Sequence, residues 1–338
     1  MNPNLSSVQK SWLENSFKTN GFGKILSAEQ LRIESSEREF FRIRSLKNSS
    51  ILMKVPSGIE ESVFSFITKG NYFYKNNVNV PKIYSYDEDL GLILVEDFGD
   101  KIFQFNLSQD PDVYHELAIN ELIKIQSIDK NVGIFRKLDS SIFEMNWGLF
   151  EKYFFYNFLD LSDGQLLKEI KEGYEFVCNQ LKSQPEVVCH YDFECRNLIL
   201  TKDKMAGVLD FQDAVIGPIG IDPASLFKDL YHNWPEEKIQ NWYCKYNAKI
   251  KKVLGMELNL KLLVKFIDFA SIQRQIRILG KLSQVYEQLN RLERTKDFPI
   301  LINYLQNTSR NYLELENFSG SIFLLNEPLK IKLEKILS

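Results

Sequence analysis

"VVCHYDFECRNLILTKDKMAGVLDFQDAVIGPIGIDP", residues 187–223, decides the reading of this chain. It sets one histidine and five aspartates among residues that favour burial. Asn197 to Leu200 and Met205 to Leu209 are short apolar pieces joined at Thr201 to Lys204, and they read as a hairpin. Asp192 stands just before this hairpin, Asp210 just after it, and Asn197 at the start of its first strand. Because a hairpin returns its ends close together, these three residues are expected to converge.

Two carboxylates and an amide oxygen are hard donors, suited to magnesium rather than to a sulphur-loving metal. Magnesium bridging ATP phosphates offsets the charge that builds during phosphoryl transfer. Asp192 would then orient and deprotonate a hydroxyl while Asn197 and Asp210 hold the metal, although spacing alone does not assign which carboxylate is base and which is ligand. The competing reading makes the acids ordinary turn residues and His190 a holder of backbone groups. The strand-turn-strand setting favours convergence, since solvated turn residues have no need of it.

Outward from this segment the chain changes character twice. Ser11 to Phe17 reads as a short helix, and "EQLRIESSEREFFRIRSL" with "SSILMKVP" as three strands turning at Ser35-Ser36 and Asn48-Ser49. A helix from Gly58 to Tyr74 and two strands around Asp87 to Gly91 complete a small mixed lobe. Beyond Asp100 the pattern is mostly helical: Val113 to Ile128, Trp147 to Leu159, Gln165 to Leu181, Glu237 to Val253, Leu258 to Leu289 with a possible break, and Phe298 to Leu315. The expectation is an α+β chain with an N-terminal nucleotide-binding lobe over residues 1–96. A catalytic and substrate-binding lobe would cover 97–338, with Gly99 at the joint.

Composition narrows the class. The 338 residues carry 42 Lys and Arg against 45 Asp and Glu, a net charge of -3, with no long basic run, so nucleic acid is not an expected partner. The opening MNPNLSSVQKSW lacks a continuous apolar core, and no segment reaches the roughly 18 apolar residues of a membrane span. Cys178, Cys189, Cys195 and Cys244 lack CxxC spacing, and only three histidines are present. A reduced, cytoplasmic protein without a membrane or an obligate protein partner is expected.

In the small lobe, Lys54 can neutralise phosphate if an acid from the inserted helix fixes it, with Glu60 and Glu61 the nearest; the alternative is a solvated edge residue. Ser35, Ser36 and Arg38 can cover phosphates through backbone N–H groups and a guanidinium. Neither GxGxxG nor GxxxxGK[ST] is present. Asp222 before Pro223 reads as the N-cap of a following helix, in preference to a metal ligand. Asp213 is left open between facing substrate, capping a turn and binding a second ion. Cys189 and Cys195 read as small buried side chains.

"HYDFECRNL" (190–198) and "GVLDFQDAVIGPIGIDPASLFKDLY" (207–231) together resemble the aminoglycoside phosphotransferase-like family, and more narrowly its bacterial anomeric kinases for N-acetylmuramate and N-acetylglucosamine. The resemblance implies a two-lobed protein-kinase-like fold, ATP and magnesium, and a nucleotide between the lobes. It implies Asp192 as catalytic base, Asn197 and Asp210 as magnesium ligands, His190 as support for the catalytic loop, and Asp222 as the structural aspartate. "SSEREFFRI" resembles the small-lobe turn of these kinases, and "LILVEDFGD" their hinge, which puts adenine near Leu94 to Glu96 through backbone hydrogen bonds. "SIQRQIRILGKL" resembles their helical lobe; Arg274 and Arg277 share a helix face there and meet either an acidic sugar or local carboxylates. Two departures stand out. Met53-Lys54 replaces the Met-Asp that the sugar kinases often carry, and Tyr191 stands where many relatives have arginine or glycine. The expected activity is ATP-dependent phosphorylation of an amino-sugar hydroxyl, in cell-wall sugar recycling. The alternatives are a kinase for an aminoglycoside, choline or another amine, and a non-catalytic nucleotide-sensing or protein-interaction domain.

Overall fold

The computed structural model describes residues 5–31, 38–56, 58, 60–232 and 234–337, apart from the side chains of 60–62 and 337. By compactness the chain divides into a first unit, Met1–Ile128 with Cys195–Ala214, and a second, Asp129–Glu194 with Val215–Ser338. This division differs from the change of character near residue 96: the first unit keeps the next two helices and recruits the later hairpin.

In chain order, the first unit begins with α1 (Ser7–Thr19), β1 (Ile25–Gln30), β2 (Glu39–Ser45), β3 (Ser49–Lys54) and α2 (Glu60–Lys75). β4 (Ile83–Asp87), β5 (Leu92–Glu96), α3 (Phe103–Asn106) and α4 (Pro111–Gln126) follow. The second unit then contributes β6 (Arg136–Lys137), α5 (Ser140–Leu149), a π-helical stretch Phe150–Phe158, α6 (Gly164–Lys182) and β7 (Glu186–Cys189). The hairpin β8 (Leu198–Leu200) and β9 (Ala206–Val208) belongs to the first unit. The second resumes with β10 (Val215–Pro218), α7 (Ile221–Phe227), α8 (Glu236–Lys249) and α9 (Leu260–Leu289), and closes with α10 (Phe298–Ser309), α11 (Glu316–Leu324) and α12 (Asn326–Leu337).

The first unit is built on a five-stranded antiparallel sheet in the order β1-β2-β3-β5-β4. Phe41, Ile43, Leu52, Leu92 and Leu94 form a core with Leu13 and Phe17 of α1. Burying such a side chain is worth about 1.5–3 kcal/mol. A capping box starts α1, with Ser6 and Gln9 each accepting the other's backbone N–H. The tight turn before β5 needs Gly91: its φ is +62°, and a Cβ there would lie 2.5 Å from the Val55 carbonyl oxygen. The turn expected at Ser35-Ser36 lies outside the described residues.

In the second unit, α9 runs unbroken for 30 residues where the sequence suggested a break. Gly280 permits its close approach to the π-helical stretch, because a Cβ at that position would fall 2.5 Å from the Phe150 amide nitrogen. The helix expected over Trp147 to Leu159 begins earlier and changes to π geometry at Phe150. A three-stranded sheet, β6-β10-β7, was not anticipated, since strands of two to four residues show no usable alternation. All four cysteines are free; three are buried and Cys244 is exposed. Among the described residues no helix is long and apolar enough to cross a membrane.

Candidate active site

In the second unit, the loop His190 to Glu194 leaves the buried end of β7. Asp222, fully buried in the first turn of α7, accepts the backbone N–H of His190 at 2.7 Å and of Tyr191 at 2.8 Å. The N-cap role expected for Asp222 is therefore corrected: Gly220 holds that position, and the carboxylate serves the loop instead. Asp followed by Pro mimics a cap and first helical residue, but two buried amides need an acceptor and Asp222 supplies it. The His190 ring is buried edge-to-face against Phe193, so it supports the loop from inside.

Tyr191 has a φ of +80°, a left-handed conformation that costs a bulky residue about 1–3 kcal/mol. Its amide bond to Asp222 holds it there, and the Arg277 guanidinium lies 4.3 Å from its ring centre. Asp192, with its side chain 31% exposed, accepts from Arg277 Nη2 at 2.5 Å. Burial opposes the Arg277 charge, but Asp192 more than offsets this and holds the guanidinium above its ordinary range. Glu194 is buried and receives Arg274 Nη2 at 2.9 Å. Both arginines thus meet local carboxylates, one of the two outcomes left open by their shared helix face.

Burial pushes Asp222 up to about 6, from an ordinary 3.8, against the opposing pull of His190 and the two amide donors. Because the folded protein keeps a proton that the unfolded chain releases, the stability from this group is full below about pH 4. It is lost as pH rises through about 6. At about 1.4 kcal/mol for each pH unit, the gap amounts to about 3 kcal/mol. Urea unfolding of the wild type should therefore lose about that much, relative to Asp222→Asn, between pH 4 and 7. Parallel stability curves for the two proteins would rule out this titration.

In the first unit, Leu198 pairs with Val208, and the Leu209 N–H donates to the Asn197 carbonyl at 2.9 Å. Asn197 and Asp210 therefore flank the same end of the hairpin. Asp210 adopts a left-handed turn, φ +61°, and its side chain is 46% exposed. Gln212 Nε2 donates to it at 2.8 Å, and Arg38 Nη1 lies 3.7 Å away. Asp213 is exposed and also receives Gln212.

The segment after Asp210 is pinned to α2. The Gln212 carbonyl accepts Lys69 Nζ at 2.6 Å and Ser65 Oγ at 2.7 Å, while Phe211 packs on Phe66 and Phe73. Sequence reading missed Lys69. Its place beside Phe66, Gly70 and Phe73 on the apolar face was the signal, because a lysine there needs an internal acceptor.

Lys54 pairs with Glu39 at 3.0 Å across the β2–β3 ladder; the side chains of Glu60 and Glu61, like Ser35 and Ser36, lie outside the described residues. Leu94 is fully buried and paired within the sheet, and the Glu96 amide donates to the Lys82 carbonyl at 2.9 Å. Both positions are thus engaged within the sheet, which the chain leaves beyond Glu96. That exit is shaped by Arg42, another residue missed from sequence. It is buried, with Nε 2.7 Å from Asp97, Nη1 2.7 Å from Asp100 and Nη2 donating to the Gly99 carbonyl. Burial works to raise Asp97, but hydrogen bonds from Arg42 and Ser49 prevail and hold it below the usual carboxylate range.

Asn197 and Asp210 fit a hard divalent cation in donor chemistry: an amide oxygen and a carboxylate stand at one end of the hairpin, where Arg38, 3.7 Å from Asp210, now supplies the positive charge. Among the described residues no three His, Cys, Asp or Glu side chains gather as a metal centre. Two protein oxygens, with water and phosphate completing the shell, are what magnesium accepts.

Residues 27–247 match the model of the Phosphotransferase enzyme family. The chain is 26% identical over 313 residues to an N-acetylmuramate/N-acetylglucosamine kinase of Neisseria meningitidis, covering 90% of this chain and 91% of that protein. A protein of the same name from Pseudomonas aeruginosa is 26% identical over 301 residues, 88% of each chain. Among solved structures, choline kinase LicA from Streptococcus pneumoniae superposes with a TM-score of 0.64 at 12% identity, covering 89% of this chain and 100% of that one. The ADP-bound aminoglycoside phosphotransferase APH(2'')-Ib also gives 0.64, at 16% identity, over 90% and 99%. These likenesses carry the two-lobed, protein-kinase-like α+β fold.

Proposed function

The chain belongs to the phosphotransferase enzyme family, and from that premise we propose that it transfers the terminal phosphate of ATP to the anomeric hydroxyl of N-acetylmuramate or N-acetylglucosamine. The observation that carries this reading is similarity to kinases named for those two sugars across about nine-tenths of the chain. The reaction would belong to recycling of cell-wall sugar in the cytoplasm, with residues 1–96 as the nucleotide lobe and 97–338 as the catalytic lobe.

In this reading Asp192 turns the acceptor hydroxyl toward the terminal phosphorus and takes its proton as the new oxygen–phosphorus bond forms. The bond to the ADP oxygen breaks at the same time. Asp222 holds the backbone of the loop that carries Asp192, and the His190 ring packs within that loop against Phe193. Asn197 and Asp210 hold magnesium, which when bound neutralises charge on the phosphate oxygens. Lys54 and Arg38 add positive charge for the phosphate chain, Ser35 and Ser36 cover it through their backbone, and the backbone near Leu94 to Glu96 receives adenine. Positioning and charge stabilisation, without a covalent intermediate, supply the rate.

The test is transfer of label from ATP across a panel of amino sugars, aminoglycosides and choline, with the product position read by NMR. A sugar 1-phosphate is expected. Reaction only with a cationic acceptor would replace the substrate and keep the kinase, whereas ATP binding without any transfer would favour a sensing role.

A further inference from the structure

We infer that Arg277 is the positioning residue of Asp192, fixing the direction of its carboxylate, and that Tyr191 fixes Arg277 in turn. This rests on the reading of Asp192 as the base.

The loop is pinned from two sides within one unit. Asp222 holds its backbone at residues 190 and 191, while α9 holds its side chains through Arg277 to Asp192 and Arg274 to Glu194. The two arginines are three residues apart and the two acids are two apart, and one helix face meets both acids because the loop turns between them, with the Glu194 N–H donating to the Asp192 carbonyl at 2.9 Å. Arg277 is only 12% exposed, and it rises from an uninterrupted helix rather than from another loop. Its guanidinium contacts the Asp192 carboxylate at 2.5 Å while lying over the Tyr191 ring at 4.3 Å. The planar guanidinium presents an edge to the carboxylate and a face to the ring, a geometry that a compact ammonium reproduces only in part.

An arginine beside a base lowers its basicity, which would be self-defeating if proton abstraction limited the rate. Phosphoryl transfer passes through a loose transition state in which there is little covalent chemistry for the protein to do. Aim then matters more than proton affinity, and a misplacement of about 1 Å can cost about 100-fold. The left-handed Tyr191 fits the same scheme, because that backbone presents the ring to Arg277.

The experiment compares kcat and KM for ATP, N-acetylmuramate and N-acetylglucosamine in wild type, Arg277→Gln, Arg277→Lys and Tyr191→Leu. Arg277→Gln should lose about 10- to 100-fold in kcat for both sugars, with each KM within about threefold. Arg277→Lys should recover part of that loss, and Tyr191→Leu should lose about three- to tenfold in kcat. A KM increase confined to N-acetylmuramate would overturn the inference, because Arg277 would then bind that sugar's carboxylate. So would an unchanged kcat in Arg277→Gln. If that variant does not fold, Tyr191→Leu decides by the same kcat criterion. Transfer to water gives the comparison without either sugar. Full activity in Asp192→Asn would instead reject the base itself, leaving the two failures distinguishable.

Discussion

Asp192→Asn is expected to lower kcat by about 10²- to 10⁴-fold while leaving ATP affinity nearly unchanged. The amide has the size of the carboxylate but cannot accept the hydroxyl proton at neutral pH. Nucleotide affinity should persist because the residues proposed to hold ATP and magnesium lie outside this loop. The change also leaves Arg277, largely buried, without its anionic partner, so some stability should be lost. Kinetics at saturating substrates, calorimetric ATP titration and an unfolding curve separate these effects. A kcat within tenfold of wild type in a folded protein would remove Asp192 from the chemistry.

Asp210→Asn should act on binding and turnover together. Asparagine tolerates the left-handed backbone at this position, so the substitution removes charge without straining the turn. One oxygen donor remains, but half of the proposed protein ligand set loses its negative charge. Turnover should fall about 10²- to 10³-fold, and the dependence of ATP affinity on magnesium should flatten. In the absence of magnesium, both proteins should bind ATP alike. An identical magnesium dependence in variant and wild type would place the cation elsewhere.

How much of this was legible depended on the length over which a pattern could repeat. The sheet of the first unit and the hairpin carrying Asn197 and Asp210 could be read because branched and aromatic residues mark strands separated by turn residues. The β6-β10-β7 sheet could not, as its strands are too short to establish a period. Arg274 and Arg277 could be assigned to one face by spacing alone. Their carboxylate partners could not, because Asp192 and Glu194 lie some eighty residues away in sequence. Lys54 illustrates the same limit: strand register brings it Glu39, a partner the local pattern did not suggest, while the side chains of Glu60 and Glu61 lie outside the described residues. Asp222 was recognised as structural, but a local cap motif concealed a partner more than thirty positions upstream.

The distribution of the four thiols has a practical consequence. Burial pushes Cys178 up to about 12 and Cys189 well above its ordinary value, so neither supplies reactive thiolate near neutrality. Cys195 is shielded by burial, which leaves Cys244 on α8 as the thiol open to reagents. A maleimide dye should therefore attach once per molecule without removal of any native cysteine, giving a fluorescent reporter on the natural sequence.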